Sequence, residues 1–425
     1  MNEVYRIGVG RVRRRVVVTG MGVISPCGND KDSFWESMVN GKGGIDRITR
    51  FDAAQFPSQM AGEVKGFDAS QFLDFKELKR SFLFSQYAVA AAKMAVEDAG
   101  IALGDKDPYR IGTLLGTALP GMDFAEAQHK LFLNKGLKKV SPYIAGALFP
   151  GSPSSEVAME LKVRGASLTL STGCPSATDA VVLAFEKIRR GELDMAIAGG
   201  TESPVTPFCL AMFCVIKSLS RRNHEPTKAC RPFDRERDGF VLSEGAGVVI
   251  LEELEYALRR GAYIYAELLG YGITCDAYHM TRPDPSGQHA AEAMRKALQS
   301  ANLEPETVDY INAHGSSTPL NDKTETRIIK EVFGERAYRI PISSTKSMTG
   351  HALGAVAAFE LIASALAIDR GIVPPTINYE NFDPECDLDY VPNVSRRADI
   401  RVALSNSSGF GGKNTTLVIG KFEPN

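Results

Sequence analysis

The sequence predicts an α/β protein in which one strand–helix pattern runs twice. Two observations carry that reading. Short β-branched runs, most of them closed by glycine, alternate with helical stretches along the whole chain, which is the pattern of buried, mostly parallel sheets. The alternation passes through two cycles of related order, each near the usual size of a domain, with a boundary near Gly261. No low-complexity run or long linker separates the cycles, so they are expected to share one core as halves 13–261 and 262–421.

The elements follow in order. Arg15–Pro26 (RVVVTGMGVISP) reads as a buried strand that turns sharply at its glycines. Asp30–Asn40 reads as a short amphipathic helix stopped by Gly41, and 41–69 has little period and reads as irregular surface. Phe75–Gly100 is expected to be one long helix with Ala88, Ala91, Ala92 and Ala95 on its apolar side. Ile111–Gly116 is a second strand, followed by a turn at 117–121. Asp194–Gly200 and Gly245–Leu251 are further strands, and a helix then ends near Gly261. The second cycle comprises the strand Tyr263–Gly270, the helix Gln288–Ala301, the strand Val308–Ala313 and the helix Lys323–Phe333. It continues with Ile340–Ser344, an apolar helix from Gly354, and the strands Arg401–Asn406 and Thr415–Ile419.

Composition narrows the function classes. The 425 residues carry 49 Lys+Arg against 51 Asp+Glu, a formal net charge of -2, so no nucleic-acid partner is expected. The seven cysteines form no C-x-x-C pair, which signals neither a disulfide framework nor a zinc ribbon and fits a reducing cytoplasm. Arg11, Arg13, Arg14 and Arg15 lead into a strand rather than a signal-peptide core, and the early start of the fold argues against a transit peptide. The longest apolar stretch, around 352–368, is interrupted by Glu360 and falls short of a membrane span, so no membrane partner is expected.

Four loops concentrate the chemistry. In Ser171-Thr-Gly-Cys174-Pro175, a strand ends and a proline suited to the first helical position opens a helix, which places Cys174 where the helix dipole favours a thiolate. In Asn312-Ala-His314-Gly-Ser316-Ser317-Thr318, a histidine directly follows a buried strand. Ser343–Gly354 sets Lys346 and His351 before an apolar helix, whose N-terminus disfavours imidazolium and lets a neutral ring donate to a developing oxyanion. Glu360, inside that helix, needs a cation, and Lys346 is the nearest candidate. Asn406–Asn414 (NSSGFGGKN) is glycine-rich but matches neither the dinucleotide fingerprint nor a P-loop, leaving close approach of backbone to a reacting carbonyl as its use. A cysteine at a helix start with two histidines on glycine-rich loops points to thiol-based acyl transfer.

Taken together, STGCPSATDA, INAHGSSTPLND, SSTKSMTGHALGA and NSSGFGGKN resemble the β-ketoacyl-acyl-carrier-protein synthases, closest to the elongating type II class and to the ketosynthase subunits of aromatic polyketide systems. RRVVVTGMGVISPCG, RPFDRERDGFVLSEGAG, VPPTIN and CDLDYVP extend the likeness over nearly the whole chain. His314 follows Cys174 by 140 residues and His351 follows His314 by 37, spacings similar to the family's.

The resemblance implies a thiolase-like αβαβα sandwich of two duplicated halves, working as a homodimer. It implies decarboxylative condensation of malonyl-carrier protein with an acyl chain held as a thioester on Cys174. The backbone N–H groups of Cys174 and Phe410 would form the oxyanion hole, and His314 and His351 would stabilise the enolate. Lys346 with Glu360 would be the supporting charge pair, and Phe410 a gate. Leu119 matches a position limiting acyl length, Ser316 and Thr318 match hydroxyls on the pantetheine arm, and Asn414 joins the substrate-binding set. No cofactor or metal is implied beyond the phosphopantetheine that acyl carrier protein brings. That acidic partner would meet a basic rim at Lys76, Lys79, Arg80, Lys138, Lys139 and Arg222.

Two departures stand out: Pro175, where a small residue is usual, and Ser408, where the fatty-acid enzymes usually carry a second phenylalanine. Proline leaves the Cys174 N–H in place and disfavours helix at Cys174. Fatty-acid-type elongation is the leading reading. A polyketide or polyene ketosynthase paired with a chain-length-factor subunit is the alternative, and a non-catalytic carrier-protein-binding subunit is the remote one. A degradative thiolase would pair its cysteine with a second one near the C-terminus, whereas the last cysteine here, Cys386, lies outside any glycine-rich loop.

Overall fold

The computed structural model describes residues 14–424, so Arg11, Arg13 and the first residue of the expected N-terminal half lie outside the described residues. Ten strands form one continuous sheet: β1 (Val16–Ile24), β2 (Ile111–Gly116), β3 (Ser167–Leu170), β4 (Met195–Glu202), β5 (Gly245–Glu253), β6 (Ala266–Cys275), β7 (Tyr310–Asn312), β8 (Ile342–Ser343), β9 (Val402–Gly409) and β10 (Lys413–Gly420). Their spatial order is β8-β7-β9-β10-β6-β1-β5-β4-β2-β3. The order 3-2-4-5-1 on one side is repeated as 8-7-9-10-6 on the other, so the duplication is visible strand for strand. The two sets join where Val16–Val18 of β1 pair antiparallel with Ala266–Leu268 of β6.

The expectation of mostly parallel pairing needs correction. Only the outer pairs, β2–β3, β2–β4, β7–β8 and β7–β9, are parallel, and the strands around the centre are antiparallel. Hairpin-like returns such as β9 to β10, with only Phe410-Gly411-Gly412 between them, need no crossover helix and so pair antiparallel.

Six helices complete the layers: α1 (Leu83–Asp98), α2 (Ser152–Leu161), α3 (Ser176–Arg189), α4 (Gln288–Ala301), α5 (Pro319–Phe333) and α6 (Val356–Arg370). α1 and α2 cover the outside of the first half-sheet, α4 and α5 the outside of the second, and α3 and α6 pack between strands of both. The result is an αβαβα sandwich. Central position explains α6, buried on every side from Val356 to Ile368 although it is too short to span a membrane.

Glycines expected to end strands instead lie inside them. β1 continues through Gly20 and Gly22, and β6 through Gly270 and Gly272. A β-carbon on Gly22 would stand 1.9 Å from the Ala91 carbonyl oxygen, and one on Gly272 would stand 2.0 Å from that of Ala293. The strand glycines thus admit helix backbone, with Ala91, Ala95 and Ala99 on one side and Ala293, Ala297 and Ala301 on the other. The same Gly-x-Gly against Ala-x-x-x-Ala contact recurs in both halves.

Two further expectations fail for tertiary reasons. The long helix at 75–100 is broken: a turn at Phe75–Leu78, capped by Asp74, is separated from α1 by Phe82, which is extended and buried beside Phe84 and Phe124. The segment at 41–69 is only partly surface. Ile45–Arg47 pairs with Met60–Gly62, and Ile45, Met60, Ala61 and Glu63 are buried.

Gly272→Val is expected to overpack the β6–α4 contact and cost about 1–3 kcal/mol or more, read as a fall in urea midpoint. The same substitution at exposed Gly104, whose β-carbon would meet nothing within 4 Å, serves as the control.

Candidate active site

Because β3–α3 and β8–α6 are equivalent units, the loops that start the two central helices come to the same end of the sandwich. Cys174 lies between β3 and α3. Gly173 takes a positive φ of 82°, and the Ser176 N–H closes the turn onto its carbonyl at 3.1 Å. Pro175 therefore stands at the N-cap, one position earlier than expected, with α3 beginning at Ser176. The elbow is braced from below, where Asp179 accepts from Thr172 Oγ1 (2.6 Å) and Thr415 Oγ1 (2.7 Å).

The glycine-rich loop arrives alongside. A β-carbon on Gly409 would fall 3.1 Å from the Cys174 amide nitrogen and 2.6 Å from Pro175 Cδ, so only glycine lets β9 pass the elbow. Phe410, which follows, is 40% exposed, and its ring faces Phe213 at 6.4 Å. Phe213 packs on Phe240, Phe240 on the His351 ring (5.1 Å), and His351 on His314 (5.5 Å, at 80°). An aromatic chain thus links the loop beside Cys174 to both histidines.

The histidine loops are held from behind. His314 follows β7, and Glu325 of α5 accepts the N–H groups of His314 and Gly315, each at 2.8 Å. Lys346 Nζ donates to the His314 carbonyl (2.5 Å) and is hydrogen-bonded to Glu360, all three residues being buried. His351 Nδ1 accepts the Leu353 N–H at 3.2 Å. That bond assigns the neutral ring its proton at Nε2, leaving a fixed donor. Burial and the Lys346 ammonium hold both imidazoles well below their usual pKa, with His351 also disfavouring a charge on His314.

The thiol departs from the expectation raised by its place at a helix start. Burial pushes Cys174 up to about 12, outweighing the pull of the Lys346 ammonium, with Glu202 and Glu360 acting in the same direction as burial. Cys174 rests as a thiol, with its proton to be lost during attack rather than before it.

The other expected residues are placed as follows. Leu119 joins an apolar cluster with Phe213, Phe240 and Leu353, forming one wall beside His351. Ser316 and Thr318 hydrogen-bond each other at 3.0 Å after the His314 loop. Asn414 is buried, donating to Asp276 (2.7 Å) and accepting from Ser408 (3.1 Å), so its side chain braces the glycine-rich loop. Lys76, Lys79, Arg80, Lys138 and Lys139 are exposed. Arg222 is half-buried and paired with Glu225 (3.4 Å) and Glu236 (3.1 Å). The charge-dense Arg231–Phe240 segment serves the His314 loop: Ser317 accepts the Arg231 N–H on its hydroxyl and the Gly239 N–H on its carbonyl.

Two buried carboxylates escaped the sequence reading of the site. Glu325 lies on a polar-looking helix, and nothing in its local sequence sets it apart from that helix's other charged residues. Glu202 looked like the polar exit of a strand, yet it is fully buried and accepts four hydrogen bonds.

Comparison with known proteins agrees with this layout. The model described as beta-ketoacyl synthase, N-terminal domain, matches residues 13–257, and the corresponding C-terminal domain matches 265–380. The chain is 48% identical over 97% of its length to 3-oxoacyl-[acyl-carrier-protein] synthase 2 of Synechocystis, covering 99% of that protein. Among solved structures it is similar to one described as a type II polyketide acyl-carrier protein in complex with its ketosynthase bound to the hexaketide. There the TM-score is 0.89 and the identity 39%, with 97% of this chain and 100% of that chain covered. The ishigamide ketosynthase/chain length factor gives a TM-score of 0.90 at 38% identity, with coverages of 97% and 100%.

Lys346→Ala strands the buried Glu360 carboxylate and is expected to cost about 3–5 kcal/mol in denaturant stability. Lys346→Met with Glu360→Leu should recover much of that without restoring activity. Iodoacetamide labelling of Cys174, followed by peptide mass, should accelerate through pH 7–9 without a plateau, because a raised thiol pKa leaves the thiolate fraction still growing there. A plateau below pH 8 would contradict the resting thiol.

Proposed function

The chain belongs to the β-ketoacyl synthase family, and we propose that it elongates acyl chains held on acyl carrier protein, in the manner of fatty-acid synthesis. The observation that carries this reading is the pair of adjacent neutral imidazoles, one with its Nε2–H fixed as a donor, linked through Phe240, Phe213 and Phe410 to the loop beside Cys174.

In the first half-reaction, the Cys174 sulfur attacks the acyl thioester carbon while its proton passes to the departing phosphopantetheine thiolate. The Cys174 and Phe410 N–H groups hold the tetrahedral oxyanion. In the second, malonyl-carrier protein loses carbon dioxide, and the electron pair of the broken carbon–carbon bond becomes an enolate. His351 Nε2–H and His314 stabilise its oxygen, while burial makes these hydrogen bonds stronger than in water. The enolate carbon then attacks the Cys174 thioester. The β-ketoacyl product leaves on the carrier protein and the cysteine regains a proton. The thioester arm brings the activated acyl group, so this reading requires no resident cofactor.

Lys76, Lys79, Arg80, Lys138 and Lys139 are the proposed rim for the acidic carrier protein. A homodimer is the proposed assembly. β8, the end strand of one half, is buried, whereas its counterpart β3 is bare, with Leu168 41% exposed and Met159 and Phe149 uncovered nearby. A second copy seated on that edge would supply the cover that the other half already has. The seven free cysteines support a reducing, cytoplasmic setting, and no helix among the described residues is long and apolar enough to cross a membrane.

The polyketide reading draws on the solved ketosynthases at 38–39% identity, but the fatty-acid relative is nearer at 48%. Purified alone, the chain should sediment as a dimer, gain one acyl mass from acyl-carrier protein, and release a two-carbon-longer β-ketoacyl product when malonyl-carrier protein is added. Cys174→Ala should abolish the mass gain. Activity that appears only with a second, cysteine-less subunit would favour the polyketide alternative, and no adduct at all would remove the catalytic reading.

A further inference from the structure

The buried carboxylate of Glu202, at the end of β4, sits where three parts of the site meet. Its Oε1 accepts from Thr117 Oγ1 (2.9 Å) and the Leu119 N–H (3.0 Å). Its Oε2 accepts from the Ala118 N–H (2.7 Å) and the Gly354 N–H (3.0 Å). Three of these donors belong to the turn that carries Leu119, in the first half. The fourth belongs to the Leu353–Ala355 turn that leads into α6, in the second half. The Leu353 N–H, one residue before Gly354, is the donor that fixes His351 Nδ1. The two backbones are pressed together around the carboxylate: a β-carbon on Gly354 would stand 2.5 Å from the Ala118 nitrogen and 2.8 Å from Glu202 Oε2.

We propose that Glu202 is a positioning residue that sets the acyl-slot wall at Leu119 and the aim of His351 through one carboxylate. The proposal rests on the condensing-enzyme reading above. Only an ionised carboxylate offers acceptors on both oxygens to four donors. Burial pushes the Glu202 carboxyl up to about 7, against the four donors, which favour the ionised form.

The amide variant separates the two tasks. In Glu202→Gln, one oxygen becomes an NH₂ group that cannot accept. If the NH₂ replaces Oε2, the Ala118 and Gly354 N–H groups both lose their acceptor. If it replaces Oε1, the Thr117 hydroxyl can rotate to accept from it, and only the Leu119 N–H is orphaned. The second arrangement costs less because one buried donor is stranded instead of two. Glu202→Gln should therefore loosen Leu119 while sparing the Gly354 turn, whereas Glu202→Ala releases both.

The test uses the full chain and two assays: extension of saturated acyl-carrier proteins of increasing length, with products read by mass, and carbon dioxide release from malonyl-carrier protein without a primer. Glu202→Gln should shift the length limit as Leu119→Ala does, while decarboxylation falls by less than about threefold. Glu202→Ala should lower decarboxylation by about tenfold or more, the cost of orphaning several buried donors. If Glu202→Ala does not fold, as judged by its thermal melt, the comparison of Glu202→Gln with Leu119→Ala decides. An unaltered length profile in Glu202→Gln, or a proportional loss in both assays, overturns the proposal. A wild-type chain inactive in both assays would overturn the condensing reading itself, whereas an active wild type with an indifferent Glu202→Gln overturns only the role of Glu202.

Discussion

The catalytic centre depends on one packing constraint: α3 and α6 must be buried between the two halves of the sheet. A helix enclosed on all sides can start only where its sheet lets the chain cross, and the repeated strand order makes the two starts converge. Cys174 and His351 are thus equivalent points of two copies of one unit, given different chemistry by different side chains. The loop after β7, bearing His314, and the loop after β9, bearing Phe410, reach the same end because their strands lie side by side. No long insertion is needed to assemble the site.

Burial at that end then sets the electrostatics. The medium that holds the imidazoles neutral also raises the thiol, so the resting site stores little charge apart from Lys346 and its carboxylate partners. A Lys–Glu pair without solvent adds little to net stability, but breaking it is costly, and here its lysine also grips the His314 backbone. The pair is better understood as a clamp on geometry than as a source of stability. Glu325 plays the matching part from the other side, by holding the His314 and Gly315 N–H groups.

How much was legible in the sequence follows from the range of the interactions involved. The strands, most helices and the two-cycle order were readable because β-branching and apolar spacing are local signals. Cys174, His314, Lys346 and His351 stood out because each lies beside a strand end or a helix start, and the family motifs place them together. The glycines misled: Gly20, Gly22 and Gly270 looked like strand stops, but they, with Gly272, admit a helix that lies further along the sequence. Phe82 broke a helix that propensity would have continued, because its ring is needed beside Phe84 and Phe124. Glu202 was invisible for the same reason. Its partners, at 117–119 and 354, are far away along the chain and are mostly backbone groups, which carry no residue code. Burial outweighing the helix dipole at Cys174 is likewise a property of the whole assembly.

The uneven sheet edges bear on the order in which the protein is made. β1 to β5 leave the ribosome before β6 to β10 exist, and in that interval the first half-sheet has two unpaired borders, β1 and β3. The β1 border closes within the same chain once Ala266–Leu268 appear. Among the described residues the β3 border finds nothing to pair with beyond β2. One border is therefore sealed by a first-order event; in the proposed dimer the other is closed by an encounter, so the concentration of the chain would enter its maturation at a single defined strand.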